Sequence, residues 1–314
     1  MLTCRFDCVS APHPRTVSVP TEDPSKPSKT LLEIRKLAIV AMFADDVLLK
    51  RLALKGGNAL DIVLGLGGRV SKDVDFSIQG DFEDLEDTKR RAEAAIRDRF
   101  AAAGYEVFDF QFEQKPVRRR PNMPVEWGGY DIMFKVIKKE RLAEVDPHRP
   151  ERKFTLAEDV GPGSEKTLTI QISHHEYTTG SVTRDLDHHR VVVYTPAMIA
   201  AEKLRAICQQ MPEYKMYSNP APRSGDFYDI QRICEVGGVK LNTPENRELL
   251  AHMFEAKLVP LELLDRIDGH RDFHEQNWPE VMSTSREKLT AADFHYYFDY
   301  VLRIVRELEL PRNV

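Results

Sequence analysis

The spacing of apolar residues changes character twice along the chain. Leu32, Ile34, Leu37, Ile39, Met42, Phe43 and Leu48 recur at helical intervals and predict a helix over Leu31–Lys50. A second, short helix is predicted from Asn58 to Leu66, ended by Gly67-Gly68. From Glu83 to Ala103 the apolar positions Ala92, Ala95, Ile96 and Phe100 gather on one side of a charged helix that stops at Gly104. The period then becomes two. Phe108, Phe110 and Phe112 alternate with polar residues and are expected on one strand face. Tyr130, Ile132, Phe134 and Val136 repeat the alternation, as do Leu168, Ile170 and Ile172. After Tyr194 only helical spacing remains. It opens at Thr195-Pro196, a capping hydroxyl followed by proline at the first helical position, and runs to Leu308.

These changes predict three segments. Residues 1–29 carry Pro12, Pro14, Pro20, Pro24 and Pro27 among polar residues, too little apolar surface to offset ordering, and are expected to be a flexible arm. Residues 30–194 are expected to form an α/β domain, a mixed sheet flanked by helices, and residues 195–314 an α-helical domain. The 314 residues suffice for a substantial core, and 42% hydrophobic with 30% charged residues is the composition of a soluble globular protein. A formal net charge of −5 argues against a uniformly basic nucleic-acid clamp but leaves room for a local patch. The proline-bounded loop Lys115-Pro116-Val117-Arg118-Arg119-Arg120-Pro121 is the candidate. Cys4, Cys8, Cys208 and Cys234 are too few and scattered for a disulfide scaffold. No signal-peptide core or membrane-length apolar run is present, so a reducing cytoplasm and no membrane are expected.

The chemistry lies between the first two predicted helices and the strands. Lys55-Gly56-Gly57-Asn58-Ala59-Leu60 is followed by Arg69-Val70-Ser71-Lys72-Asp73-Val74-Asp75-Phe76. Glycines let backbone N–H groups approach phosphate oxygens, and an adjoining helix N-terminus faces the same way. On a strand, Asp73 and Asp75 share one face while Val74 and Phe76 take the other. Paired carboxylates suit Mg²⁺, a hard cation that shares its remaining positions with substrate phosphates. Lys55, beside the glycines, is a candidate phosphate contact. Ser71 either contacts a phosphate or caps the turn before the strand. Arg69 either contacts a phosphate or forms an ion pair with one of the two aspartates.

This order of motifs resembles the AbiEii/AbiGii-type toxins within the DNA polymerase β-like nucleotidyltransferases. Ala201-Glu202-Lys203-Leu204-Arg205-Ala206 looks like that family's Ala-Glu-Lys-Leu motif, and Asp226-Phe227-Tyr228-Asp229 like the second half of its Arg-Asp-x-x-Asp motif. The resemblance implies Mg²⁺-dependent transfer of a nucleoside monophosphate from an NTP, most readily to a tRNA 3′ end. It implies a growth-inhibiting toxin opposed by a cognate antitoxin protein. Asp73 and Asp75 would hold the metal, and Lys55, Gly56, Gly57, Asn58, Arg69 and Ser71 the nucleotide. Lys203 and Asp226 would complete the catalytic set from the helical half. Spacing alone favours a solvated Lys203, since it lies off the stripe Met198, Ala201, Leu204 and Cys208; the resemblance reverses that reading.

The sequence departs from the family pattern at two places. Asn58 replaces the usual Thr or Ser after the glycines, and Arg223 is separated from Asp226 by two residues. A third carboxylate, common in such enzymes, would be Asp131, whereas Gln171 stands where a neighbouring strand would supply one. His174-His175 and His188-His189 lack helical metal-ligand spacing and read as loop histidines. The competing functions are a nucleotidyltransferase with a protein or small-molecule acceptor, and a non-catalytic nucleotide-binding module.

Overall fold

The computed structural model describes residues 29–309 apart from 72, 120, 122, 162–163 and 217–218. The expected proline-rich arm lies outside the described residues, save Lys29, which begins the first helix. Helices α1 (Lys29–Met42) and α2 (Asp46–Arg51) lead into strand β1 (Leu52–Lys55). A three-residue helix α3 (Gly56–Asn58), running on as a π-turn over Ala59–Val63, then leads to β2 (Val74–Ile78). Helix α4 (Leu85–Ala102), strands β3 (Tyr105–Lys115) and β4 (Gly129–Lys138), and short helices α5 (Lys139–Leu142) and α6 (Arg152–Leu156) follow. Strands β5 (Leu168–Ser173), β6 (Val182–Leu186) and β7 (His189–Val193) complete the sheet. The remainder is helical: α7 (Pro196–Gln209), α8 (Ser224–Glu235), α9 (Pro244–Glu255), a 3₁₀ segment Leu261–His270, α10 (Arg271–Glu275), α11 (Trp278–Thr284) and α12 (Asp293–Glu307).

The seven strands form one mixed sheet in the order β3-β4-β5-β2-β1-β7-β6. The β2–β5 and β1–β7 pairs are parallel and the rest antiparallel. Helices α1 and α4 pack on the sheet, and α8 lies between α7 and α12. The chain thus has the mixed sheet flanked by helices, with a helical C-terminal region, that the alternating and helical spacings predict.

The local departures have physical causes. The first predicted helix is two, because the Asp45 carboxylate accepts the N–H groups of Val47 and Leu48 and starts α2 afresh. The three phenylalanines of β3 do not share a face. Asp109 has φ +53°, and the β3–β4 register shifts between Phe108 and Gln111. This bulge reverses the pleat. Phe108 joins Ile137 and Ala157 in a separate small cluster, whereas Phe110 and Phe112 pack against the main core. The β6–β7 hairpin, absent from the alternating pattern, turns on Asp187 and His188, both at positive φ as a two-residue hairpin turn requires. Thr195 caps α7 as expected, its hydroxyl accepting the Met198 N–H at 3.2 Å.

Phe134 is fully buried on β4, edge-to-face with Phe100 at 5.5 Å and stacked with Phe110 at 6.4 Å. Phe134→Ala should cost about 3–5 kcal/mol through lost burial and the cavity left behind. A urea unfolding midpoint that moves by the equivalent of less than about 1 kcal/mol would show that this part of the core re-packs.

Candidate active site

The register of β1 on β2 places Lys55 directly opposite Asp75, so both side chains leave the same face of the sheet. The chain then turns through Gly56 at φ +71°, where a Cβ would run into the Asp75 carboxylate. A Cβ at Gly57 would lie 2.7 Å from Ser71 Cβ. Both glycines are therefore needed for close approach, and the backbone after Lys55 forms a cradle beside Asp75 and Ser71. Asn58 is buried and does not line the cleft; its amide donates to the Asp73 carbonyl and braces the strand entry.

Gly56, Gly57, Ser71, Asp73 and Asp75 form one wall of a cleft of about 450 Å³, within the usual range for small-molecule sites. Burial, with Glu202 and Asp73 nearby, pushes the Asp75 carboxyl up to about 7 against the pull of the Lys55 ammonium. The oxygen donors and the side-chain-free cradle fit a hard divalent cation with attached phosphates. Gln171 lies opposite Asp75 on β5, and Asp131 lies one strand further out, opposite Gln171 on β4. Two strand spacings, roughly 10 Å, separate Asp131 from Asp75. Asp131 lines an adjoining cavity of about 550 Å³ and lies 3.6 Å from Lys115. A glutamine thus stands in the place next to the Asp-x-Asp strand.

The opposite wall comes from the helical half. Lys203 is buried, its ammonium 2.7 Å from Asp226 and 2.8 Å from Asp229, in contrast to the solvated position its spacing favours. Arg69 grips Asp229 with two hydrogen bonds of 2.8 and 3.2 Å, so its ion pair is with a helical aspartate and not with Asp73 or Asp75. Arg223, two residues removed from its expected place, still reaches Asp226 at 2.6 Å. Despite the cost of burial, Arg223 and Lys203 hold Asp226 well below the usual carboxylate range, and Arg69 and Lys203 do the same for Asp229. Arg69, Lys203 and Asp226 all line the cleft.

Three charged residues at the site were not singled out by sequence reasoning. Lys55 is buried, 2.5 Å from Glu202, 3.2 Å from the Ser173 hydroxyl and 3.5 Å from Glu176. Glu176 in turn accepts two hydrogen bonds from Arg205, at 2.7 and 3.1 Å. Glu202 and Arg205 flank Lys203 on a helix whose inner positions are apolar, and charges in such a setting were the available signal. The basic loop is exposed at Arg118 and Arg119, while Arg120 lies outside the described residues.

Lys203→Ala would leave two buried carboxylates with one cationic partner each, so it should lower stability by about 3 kcal/mol as well as activity, read by denaturant titration. A well-folded Lys203→Ala protein of wild-type stability would remove the ion-pair assignment. The depressed carboxylates set the acid limb too. Because Asp226, Asp229 and Glu176 are held below their ordinary values, their contribution is complete above the unfolded-state values of 3.8 and 4.5. It is lost as pH falls beneath them. Asp229→Asn should flatten the loss of thermal stability below pH 4 relative to wild type; parallel curves would contradict it.

Comparison with known proteins gives the family of the chain. The AbiEii model, described as a nucleotidyl transferase toxin of type IV toxin–antitoxin systems, matches residues 38–303. Among solved structures, JHP933 from Helicobacter pylori is 18% identical, with 90% of this chain and 94% of that chain covered and a TM-score of 0.47. An antigenic nucleotidyltransferase-like protein from Paracoccidioides brasiliensis is 15% identical, with 77% and 93% covered and a TM-score of 0.35. No curated protein matches significantly. The family match extends over most of the chain and takes in both walls of the cleft: this protein belongs to the AbiEii nucleotidyl transferase toxin family and is a nucleotidyltransferase.

Proposed function

We propose that the protein transfers a nucleoside monophosphate from an NTP to an RNA acceptor, with the tRNA 3′ end as the first candidate. What supports this most is the convergence of Asp73, Asp75, Gly56, Gly57 and Ser71 on one cleft wall with Lys203, Asp226 and Arg69 on the other. Asp73 and Asp75 would hold Mg²⁺, which when bound supplies charge neutralisation at the phosphates. The Gly56-Gly57 backbone and Ser71 would orient the triphosphate. Lys55, opposite Asp75 on the neighbouring strand, would exchange its Glu202 partner for a phosphate oxygen. The acceptor hydroxyl oxygen bonds to the α-phosphorus as its bond to the bridging oxygen breaks, its proton passes to solvent or to a carboxylate, and pyrophosphate leaves. Lys203 would act from the far wall, held in place by Asp226 and Asp229. As a member of a type IV toxin family, the protein would arrest growth in the cytoplasm until opposed by a cognate antitoxin. Among the described residues no helix is long and apolar enough to cross a membrane.

Incubation with radiolabelled NTPs, total RNA and total protein tests the activity and the acceptor together. Label should enter small RNA, vanish with chelator, and fall at least about a hundredfold in Asp73→Asn and Asp75→Asn. Label on protein or on a small molecule instead would replace the acceptor. Full turnover in a folded Asp75→Asn variant would overturn the metal assignment. Changing Arg118, Arg119 and Arg120 to Ser should weaken RNA use and reduce its salt slope by roughly 0.7 for each phosphate no longer neutralised, leaving the KM for NTP unchanged. An unaltered slope would make this loop a solvated charge run.

A further inference from the structure

A second cluster of ligand-type side chains lies away from the cleft. Strands β2 and β5 run parallel, with Asp75 opposite Gln171 and Ser77 opposite Ser173, so the nucleotide site lies towards their N-terminal ends. Beyond their C-terminal ends the chain brings together Asp81, His174 and His175, whose ligand atoms all lie within 4.8 Å of one another. Consecutive side chains on a strand point to opposite faces. Here His175 adopts φ +52°, rare for a residue other than glycine, and the two imidazoles meet edge-on with centroids 4.8 Å apart. The turn is pinned from both sides: His175 N–H donates to Gly80 O at 2.7 Å, and Glu176 N–H to Ile78 O at 2.9 Å.

His174 is only 1% exposed, yet neither ring nitrogen has a hydrogen-bond partner among the described residues. A buried imidazole satisfied at neither nitrogen is costly unless something else takes a lone pair. Among the described residues, the Asp81 carboxylate takes hydrogen bonds through one oxygen only. Its Oδ1 accepts the Tyr130 hydroxyl at 2.6 Å and the Phe82 N–H at 2.8 Å, leaving Oδ2 to point elsewhere. A carboxylate held by a hydroxyl in this way is the usual support of a metal ligand.

We propose that Asp81, His174 and His175 form a site for a zinc-class transition cation, separate from the nucleotide centre, that ties the end of β2 to the end of β5. Two imidazoles and one carboxylate suit Zn²⁺ or Co²⁺ and not Mg²⁺, with the fourth position on the Asp81 side left to water. Bonds of about 2.0–2.1 Å put tetrahedral ligand atoms roughly 3.4 Å apart, so the cluster closes by at most about 1.4 Å on binding. Asp81 and His175, both half-buried, are free to make that movement, while His174 is fixed by packing. The clamp would steady Glu176, the next residue, which holds Arg205 and faces Lys55.

Full-length protein stripped with chelator and titrated with Co²⁺ in excess Mg²⁺ should take up one tight equivalent with visible d–d absorption, displaced by Zn²⁺. His175→Ala and Asp81→Asn should each weaken Co²⁺ binding at least about tenfold. Asp81 lies on a loop after β2 and Asp81→Asn keeps its shape, so this variant remains informative where the histidine variant misfolds. The equivalent should persist in Asp73→Ala, which separates it from the nucleotide centre, and in the Cys4→Ser/Cys8→Ser protein, which removes the thiols. The proposal is overturned by a wild type with no tight equivalent, by folded Asp81→Asn binding as wild type does, or by loss of the equivalent in Asp73→Ala or in the cysteine variant.

Discussion

The structure depends most on one ammonium shared by two buried carboxylates. Lys203 lies between Asp226 and Asp229, and each aspartate carries a guanidinium on its other side, from Arg223 and Arg69. Any one of these charges left alone in that setting would be strongly destabilising, so the elements supplying them are held in one arrangement. Arg69 belongs to the loop entering β2, whereas Lys203 and the aspartates belong to α7 and α8. The network therefore sets the distance between the Asp-x-Asp strand and the opposite wall. Its worth lies in position more than in net stability, since hydrophobic replacements of buried ion pairs are often as stable.

The second network, around Lys55, has a different character. Its carboxylates Glu176 and Glu202 come from the segment after β5 and from α7, and Arg205 closes it from the next turn. Lys55 is thus held charged on the strand directly opposite Asp75. The two networks share helix α7, which presents Glu202 and Lys203 in succession to adjoining parts of the cleft.

Sequence reasoning reached the parts of this arrangement that are local. Alternation located β4 and β5, and the Gly-Gly and Asp-x-Asp motifs lie on the cleft wall because their spacing is fixed by a turn and a strand. The remainder depended on contacts distant in sequence. Nothing near Lys203 announces that Asp226 and Asp229 cover it, and nothing near Arg69 selects Asp229 over Asp73. The bond from Asn58 to a backbone carbonyl fifteen residues on likewise cannot be read from residue types. The misplaced Phe108 has another origin: one residue in a left-handed conformation inverted a period that was otherwise correct. The β6–β7 hairpin escaped notice because its β6 strand is mostly exposed and carries little apolar alternation.

The bulge at Asp109 bears on how the sheet ends. Strand β3 is eleven residues long and forms one border of the sheet, where an unpaired row of backbone donors and acceptors would invite another chain to add itself. Shifting the register part-way along interrupts that row, and Lys135, paired with Asp109 itself, places charge beside the interruption. The inverted Phe108 is covered by Phe154 of the short helix α6 and does not lie open along the border. A single twisted residue thus gives the long outer strand its protection against edge-to-edge self-association.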